Sequence, residues 1–203
     1  ENNLFSLFTN LEMPILPILA QMEMEGIHLE KSELAEYSKD LTSQIEKLQA
    51  EIFELVGHEF NIASPKQLQE VLFTERGLKT GKKTKTGYST NTDVLEELAS
   101  QDPVPAKILE FRKLSKLLST YVDALPALAD KNGRIHTSFI QTGTATGRLS
   151  SRDPNLQNIP VRDENGRKIR KAFDATQGKV LISADYSQIE LVILAHLSKD
   201  KNL

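Results

Sequence analysis

Two apolar seams constrain the fold of this chain more than any other feature. In each seam, mostly apolar side chains recur three and four positions apart, which places them on one narrow face of a long α-helix. The members are Leu34, Tyr37, Leu41, Ile45, Leu48, Ile52 and Leu55 in the first seam, and Ile108, Phe111, Ser115, Leu118, Val122 and Leu125 in the second. We predict an antiparallel stalk of two helices that bury these seams against each other, and Pro126 should end the second helix.

A coiled-coil dimer is the competing interpretation of the same seams. It requires apolar heptads sustained over more than three or four repeats, and neither seam is that long. A helical scaffold that offers residues 34–55 to protein partners is a further alternative, which predicts dimers.

Between the two helices the sequence predicts a small tip. Ser64, Pro65 and Gln67 have the pattern of a capping box, which opens a short helix that ends near Gly77. Residues 79–92 are rich in Gly, Thr, Ser and Lys and predict a loop. A helix restarts over 93–100, and Pro103 is expected to stop it.

After Pro126 the pattern changes from helices to short strands. Residues 134–141 and 179–184 are predicted as strands, 142–160 as a loop and 188–197 as a helix. The expected fold class is therefore α+β, mostly helical, with a partial antiparallel sheet. Because the strand 179–184 lacks sheet neighbours, we expect residues after about 140 to be less ordered than the stalk, or to pair with another chain.

The formal net charge of -3 hides a segregation of charge along the chain. Residues 1–60 hold twelve acids against three lysines, whereas residues 76–92 hold five bases and no acid, and residues 131–171 hold nine bases against three acids. A protein with one surface facing a polyanion needs such a distribution. An ordinary solvated surface would also tolerate it.

Composition excludes several function classes. The chain has no cysteine, so it has no disulfide, thiolate metal site or cysteine nucleophile. Its four histidines (28, 58, 136 and 196) lack metal-ligand spacing. The most apolar run, Leu11–Ala20, contains Pro14 and Pro17 and is expected to be too short and broken to span a membrane. We expect part of a longer soluble, cytoplasmic protein without a membrane partner.

Asp185 is the most suggestive single residue. It follows an apolar segment and precedes a helix, where a carboxylate can ligate Mg²⁺ together with water and substrate phosphate. A simple helix N-cap is the alternative role for an aspartate at this junction. Glu190 lies on the following helix, but its spacing from Asp185 does not put both on one face.

The segment Thr142–Arg162 is unusually dense in hydrogen-bond donors. It combines guanidinium groups, amides and small hydroxyls on a loop that contains glycines. Such groups can reach minor-groove acceptors and phosphates of a nucleic acid. A polar loop without this role is the alternative.

Several blocks of sequence together resemble the family A DNA polymerases. They are KKTKTGYST at 82–90, KLLSTYVDALP at 116–126, TGRLSSRDPNLQNIPVR at 146–162, IRKAF at 169–173 and ADYSQIEL at 184–191. The resemblance implies a helical thumb over 1–130, with its tip at about 57–103. It also implies an incomplete palm over 131–203, with the first catalytic motif at 184–191.

The resemblance also implies roles for individual residues. Phosphate contacts from the thumb are expected at Lys82, Lys83, Lys85, Ser89, Thr90, Asn91, Arg112 and Lys116. Further DNA contacts, near the primer terminus for Arg148, are expected at Thr146, Arg148, Arg152, Asn155, Gln157, Asn158 and Arg162. Asp185, with the carbonyl of Tyr186, would ligate two Mg²⁺ ions, and Glu190 would exclude ribonucleotides. The deoxynucleoside triphosphate would contact Tyr186, Ser187, Gln188, Ile189 and Glu190.

Two departures from the family pattern limit what the resemblance implies. The family motif usually continues Glu-Leu-Arg, whereas this chain has Val192 after Leu191. The nucleotide-binding helix and the second metal aspartate are expected beyond Leu203. We therefore predict a DNA-directed DNA polymerase, active on primer–template DNA in replication and repair, of which these residues alone are inactive. The complete enzyme is expected to be a bacterial, nucleoid-associated monomer, and exposed palm strands could let the 203 residues self-associate. A duplex-DNA-binding module without catalysis is the alternative.

Overall fold

The structure, a computed structural model, describes residues 4–79, 83–84, 87–161 and 163–200, with the backbone alone at 83–84. The chain forms two compact units, Glu1–Phe173 and Asp174–Leu203. The fold is mostly helical α+β with small antiparallel sheets, as predicted. The thumb–palm boundary at residue 130 stays a prediction. The compact unit extends to Phe173 because Ile135, Ile159 and Ile169 join the helical core.

A continuous helical segment, Leu4–Glu25, opens the first unit. It consists of α1 (Leu4–Leu7), a π-helical turn (Phe8–Glu12) and α2 (Met13–Glu25). Pro14 and Pro17 both lie within this continuous segment. The expectation that these prolines break the apolar run is therefore wrong. By length and composition alone the 22 residues could cross a membrane, with 6% of the most apolar stretch buried. The absence of a membrane partner stays a prediction.

The first predicted stalk helix is α3. It follows β1 (Ile27–Leu29) and runs over Lys31–Val56. The Glu30 carboxylate accepts a hydrogen bond from the Ser32 backbone N–H at 3.1 Å and caps its start. Gly57 ends it with a left-handed φ of +89°. Most of the predicted seam is buried, but Leu55 is 38% exposed.

The tip packs around its own apolar cluster. Its elements are α4 (Pro65–Gln69), a π-helical turn (Glu70–Glu75), the hairpin of β2 (Lys83–Thr84) and β3 (Gly87–Tyr88), and α5 (Thr92–Leu98). The Ser64 hydroxyl accepts from Gln67 N–H at 3.5 Å, but the Gln67 side chain accepts from Asn61 N–H at 2.6 Å. One bond of the predicted capping box is therefore made, and the second goes to another residue.

The second stalk helix pairs with α3 in the antiparallel direction. It consists of α6 (Pro103–Leu117), a π-helical turn (Leu118–Val122) and α7 (Ala124–Leu128). Ser38 Oγ donates to Asp123 at 2.9 Å near one end, and Lys107 pairs with Glu51 near the other. The pairing within one chain confirms the predicted stalk.

Two details of the second seam were predicted wrongly. Leu114, Leu117 and Tyr121 are buried more deeply than Ser115 and Leu118, which the pattern placed inside. The π-helical turn is wider than an α-helical turn and lets both Tyr121 and Val122 reach the core, whereas Leu114 and Leu117 lie before this turn. Proline also fails to mark the expected ends, because Pro126 lies within α7 and Pro103 begins α6 rather than only ending α5.

Short strands follow the stalk in the chain, and Ile135 and Phe173, from two of these strands, pack in the core that the stalk helices share. They are β4 (Arg134–Ile135), β5 (Ser138–Ile140), β6 (Ser150–Arg152) and β7 (Phe173–Asp174), with α8 (Glu164–Lys171) before the last. One sheet has the order β4-β1-β7, and β5 pairs antiparallel with β6, with Phe139 opposite Ser151. The predicted strand 134–141 is thus two strands, because it pairs with two different partners. The predicted loop 142–160 contains β6, whose polar sequence gives no strand signal.

The second unit holds one helix, α9 (Ile189–Ser198), which confirms the predicted helix to within one residue. The predicted strand at 179–184 is wrong, since residues 175–188 include no strand. Val180 and Ile182 are 80% and 87% exposed. A strand needs a neighbour to pair its backbone groups, and this unit supplies none among its described residues.

Candidate nucleic-acid interface

Arg112 supports the loop in front of α5. Its guanidinium donates to the Thr90 carbonyl from Nη1, and to Thr90 Oγ1 from Nη2 at 3.4 Å. Burial lowers the pKa of Arg112. Asn91 caps α5 by accepting from Val94 N–H at 3.1 Å, while its own N–H donates to Ser89 Oγ at 3.3 Å. The structure thus brings together Ser89, Thr90, Asn91 and Arg112, and gives Arg112 a structural bond besides its predicted phosphate contact.

The other lysines predicted to contact phosphates differ in how much of each the structure describes. Lys116 is exposed on α6, and Lys83 lies in β2, where only the backbone is described. Lys82, Lys85 and, in the other predicted loop, Arg162 lie outside the described residues.

Thr137 supports the donor-rich loop, residues 142–161, through its buried hydroxyl. It is 8% exposed, and its hydroxyl lies 3.1 Å from the Arg152 carbonyl and 2.7 Å from the Pro154 carbonyl. Ser151, 4% exposed, accepts from Leu156 N–H at 3.1 Å through its hydroxyl. These buried hydroxyls satisfy loop backbone groups that burial would otherwise leave unpaired.

The predicted amides hold the same loop together. Gln157 accepts from Ser151 N–H at 3.2 Å and donates to the Leu149 carbonyl at 3.0 Å. Asn155 accepts from Gln157 N–H at 3.0 Å. The Asn158 carbonyl accepts from Tyr121 OH at 2.6 Å, which ties the loop to the stalk. Asn155, Gln157 and Asn158 are nevertheless exposed, so the loop is fixed by these bonds while its outer face meets solvent.

The outer rim of the loop carries the guanidinium groups. Thr144 Oγ1 donates to the Arg148 carbonyl at 2.8 Å, and Thr146 Oγ1 donates to Thr144 Oγ1 at 3.3 Å. Gly147 takes the left-handed φ of +74° that this tight turn requires. Arg148 is exposed, and the Arg152 side chain is 69% exposed with its Nε 3.7 Å from Asp153. The rim therefore offers cations and hydroxyls to an anionic partner.

In the second unit, Asp185 and Tyr186 lie in an extended segment before α9 and are exposed. Residues 187–188 form a turn, and Gln188, with a left-handed φ of 52°, is the N-cap residue. Asp185 is therefore not the helix cap, which removes the simplest structural alternative. Ile189 and Glu190 lie in the first turn of α9.

The donor chemistry at Asp185 fits a hard divalent cation. A carboxylate and the neighbouring Tyr186 carbonyl are oxygen donors of the kind Mg²⁺ takes, with water and phosphate completing the shell. The described residues contain no group of three or more His, Asp or Glu side chains that could hold a metal ion. Asp185 would thus be one ligand of a site completed from elsewhere.

Comparison with known proteins decides the family. A profile described as DNA polymerase family A matches residues 31–203. The chain belongs to this family. Its predicted membership is confirmed, and the matched range includes both the donor-rich loop and Asp185.

Two relatives in this family show how much of a polymerase the chain represents. DNA polymerase I of Treponema pallidum is 60% identical over 200 residues, which is 98% of this chain and 20% of that protein. Thermostable DNA polymerase I of Thermus aquaticus is 52% identical over 206 residues, 100% of this chain and 25% of that protein. The chain spans about a fifth to a quarter of the length of these relatives.

A solved family structure shares the fold. The POL domain of Pol1 from M. smegmatis, in complex with DNA primer-template and dNTP, is 43% identical with a TM-score of 0.85. The match covers 97% of this chain and 35% of that chain.

Sequence reasoning missed several residues that support the interface. Tyr121 and Thr137 bond to the loop across 37 and 15–17 residues, and Glu23 and Gln141 make contacts of still longer range. No local sequence pattern predicts hydrogen bonds between residues so far apart in the chain. For Tyr121 and Thr137, the available signal was a residue with a hydroxyl at a position where the sequence pattern places buried side chains.

Proposed function

We propose that these residues are the part of a DNA-directed DNA polymerase that grips primer–template DNA and presents the first catalytic motif. The observation that carries the proposal is the match to a POL domain bound to DNA primer-template and dNTP, at a TM-score of 0.85 over 97% of this chain. The parent enzyme would act in DNA replication and repair in the bacterial cytoplasm, as a monomer.

The stalk and tip would form the thumb. Support comes from the acid-free basic stretch at 76–92 and from the adjacent residues Ser89, Thr90 and Asn91. Arg112 bonds to Thr90, and Asn91 N–H donates to Ser89 Oγ. Hydroxyls, backbone N–H groups and lysines of this kind bind phosphates without reading sequence. The thumb would therefore contribute affinity that falls steeply with salt.

The loop at 142–161 would contact the minor groove near the primer end. The Asn155 and Gln157 side chains already bond within the loop and need little ordering on binding, which lowers the entropic cost of the contact. Arg148 would reach the primer terminus, with Thr146, Arg152, Asn155, Gln157, Asn158 and Arg162 beside it. Minor-groove acceptors are similar for all base pairs, as a polymerase of general template use requires.

Asp185 would act at the reacting phosphate. Its carboxylate and the Tyr186 carbonyl would hold two Mg²⁺ ions, which when bound neutralise the triphosphate and lower the pKa of the primer 3′-hydroxyl. Glu190 would exclude a ribose 2′-hydroxyl, and Ser187, Gln188 and Ile189 would line the nucleotide. The support is the position of Asp185 before α9, free of a capping role.

The 203 residues alone are proposed to be inactive in synthesis, because the described part offers one metal carboxylate where the reaction needs two. Primer extension by this chain with Mg²⁺ would overturn that statement. In the complete enzyme, Asp185→Ala should abolish extension and leave duplex affinity nearly unchanged, whereas a large loss of affinity would make Asp185 structural.

A duplex-binding module without catalysis is the second candidate for the isolated chain. The loop held by Thr137, Gln157 and Tyr121 lies wholly within the first unit and favours it. Fluorescence anisotropy of a labelled primer–template should show a log K against log salt slope of roughly -5 to -7 for five to eight neutralised phosphates. A sample that circular dichroism shows to be folded, but that binds no duplex, would exclude both the grip and the module.

A further inference from the structure

The free edge of β5 ends against α2. In the two-stranded sheet, β6 pairs with one edge of β5, and the other edge would present unpaired N–H groups. The Phe139 N–H instead donates to Glu23 Oε1 at 2.5 Å. A side-chain carboxylate of α2 therefore takes the place of a third strand.

Two more contacts join the opening helical segment Leu4–Glu25 to this part of the chain. Gln141 Nε2 donates to Glu12 Oε2 at 2.8 Å and to the Glu12 carbonyl at 3.0 Å. His136 Nδ1 lies 2.7 Å from the Glu23 carbonyl. The contacts fall at residues 136, 139 and 141, directly before the exposed rim at 142–148.

The charge of Glu23 argues for a geometric role. An acid close to a loop that binds phosphates weakens binding through repulsion, so its carboxylate does not serve affinity by its charge. Its partner is a backbone N–H, and a charged acceptor strengthens such a bond. The carboxylate is thus suited to fixing the strand on α2.

We propose that Glu23 and Gln141 are positioning residues: Glu23 fixes the free edge of β5 on α2, and Gln141 fixes the residue after β5 on Glu12 of the preceding π-helical turn. Together they hold the rim at 142–148 in the orientation that contacts duplex DNA. The inference rests on the proposed function and adds α2, which the expected DNA contacts do not include, to the grip. Thr137 and Tyr121 hold the far side of the same loop, so the α2 contacts complete its support.

Three variants separate the acceptor from its charge. Glu23→Ala removes both, Glu23→Gln keeps an oxygen acceptor and removes the charge, and Glu46→Ala makes the same charge change at an exposed position of α3. By anisotropy on primer–template DNA, Glu23→Ala should bind about tenfold more weakly, the size expected for a lost charged hydrogen bond. Glu23→Gln should stay within about threefold of the wild type, and Glu46→Ala should bind as well as or better than it.

The salt dependence distinguishes positioning from general loss of structure. If Glu23 positions the rim, Glu23→Ala makes fewer phosphate contacts, and its slope of log K against log salt should be shallower by about one. If Glu23→Ala only lowers the folded fraction, the slope should equal that of the wild type. Equal binding by Glu23→Ala and Glu46→Ala, or a weakened binding with an unchanged slope, overturns the inference. If Glu23→Ala does not fold, Gln141→Leu takes its place. Gln141→Leu should bind duplex DNA more weakly and with a shallower salt slope, and binding equal to the wild type would contradict the inference.

Hydrogen exchange tests, without DNA, whether Glu23 holds β5 on α2. Amides of residues 138–152 should lose protection in Glu23→Ala and keep it in Glu23→Gln and Glu46→Ala. Equal protection in all three variants overturns the inference. A folded wild type that binds no duplex would instead refute the proposed grip, and exchange would still decide whether Glu23 holds β5.

Discussion

Two regions with predicted functional residues differ sharply in how they are held. The loop at 142–161 is fixed by buried hydroxyls, amides and Tyr121, all within the first unit. The segment at 179–188, which carries Asp185, forms neither strand nor helix, and Val180, Ile182 and Tyr186 are at least 80% exposed. The loop proposed to contact DNA is thus held by its own unit, whereas the carboxylate proposed for catalysis is not.

The difference shows which functions can be built locally. Contacts to phosphates and the minor groove need donors on a fixed surface, and one unit can supply them. Phosphoryl transfer needs carboxylates held across a cleft to within a fraction of an ångström. In the proposed catalytic role, Asp185 would therefore need further carboxylates beside it, and the described residues contain no such group.

The largest expected effect contrasts an isoleucine from each of the two compact units. Ile169 is fully buried beside the stalk, whereas Ile182 is 87% exposed. Ile169→Ala should lower the free energy of unfolding by about 2–5 kcal/mol through lost burial and a cavity. Ile182→Ala should change it by less than about 0.5 kcal/mol.

Urea denaturation followed by circular dichroism measures both changes. A comparable loss from Ile182→Ala would show that the second segment is packed in solution, and the contrast between the two regions would break.

Thr137→Val probes the support of the loop next. The change removes the hydroxyl that lies near the Arg152 and Pro154 carbonyls and leaves buried groups unpaired, which costs about 1–3 kcal/mol. Duplex affinity should fall with it. Thr137→Ser, which keeps the hydroxyl, is the matched control; an equal loss in both variants would show that any change at this buried position disturbs the packing, and would not assign the effect to the hydroxyl.

The sequence predicted the elements whose pattern is local. The seam at 34–55 located α3, observed as Lys31–Val56, and the apolar period located α9. It failed where long-range partners decide the outcome. The strand at 179–184 has the right residues and no neighbour, whereas Ser150–Arg152 has the wrong residues and pairs with β5.

The candidate site divides in the same way. Resemblance named the exposed donors and Asp185, because motif residues are contiguous in the chain. Thr137, Tyr121 and Glu23, which position those donors, bond across distances of 15 to 116 residues. Their roles depend on packing, which no local period encodes.

A smaller effect is expected at Tyr121. Its hydroxyl donates to the Asn158 carbonyl at 2.6 Å, and burial raises the pKa of Tyr121, so the donor stays protonated at neutral pH. Tyr121→Phe should cost about 1 kcal/mol in urea unfolding and speed exchange of amides in the loop. Unchanged exchange there, with lower stability elsewhere, would mean that the bond supports the stalk rather than the loop.

The smallest expected effect is a pH dependence of the stability of the first unit that comes from His58 at the tip. Its Nε2 lies 2.8 Å from Glu75 Oε2 and its Nδ1 3.1 Å from the Glu59 carbonyl. Both partners accept, so both ring nitrogens donate and the imidazolium is favoured. The bond to Glu75 raises the pKa of His58 above its ordinary 6.5, with the Glu59 carbonyl as a second cause.

A raised pKa in the folded state stabilises the fold fully below the unfolded pKa, and the stabilisation disappears as pH rises through the folded value. The melting temperature of the wild type should therefore exceed that of His58→Gln at about pH 5.5, and the difference should shrink by about pH 8.5. The effect is small because the pair is exposed and screened by solvent. Glu75→Gln removes the main cause and should show the same loss of pH dependence. A difference that is constant across this range would assign the role of His58 to packing, and the tip would then carry no pH-dependent support.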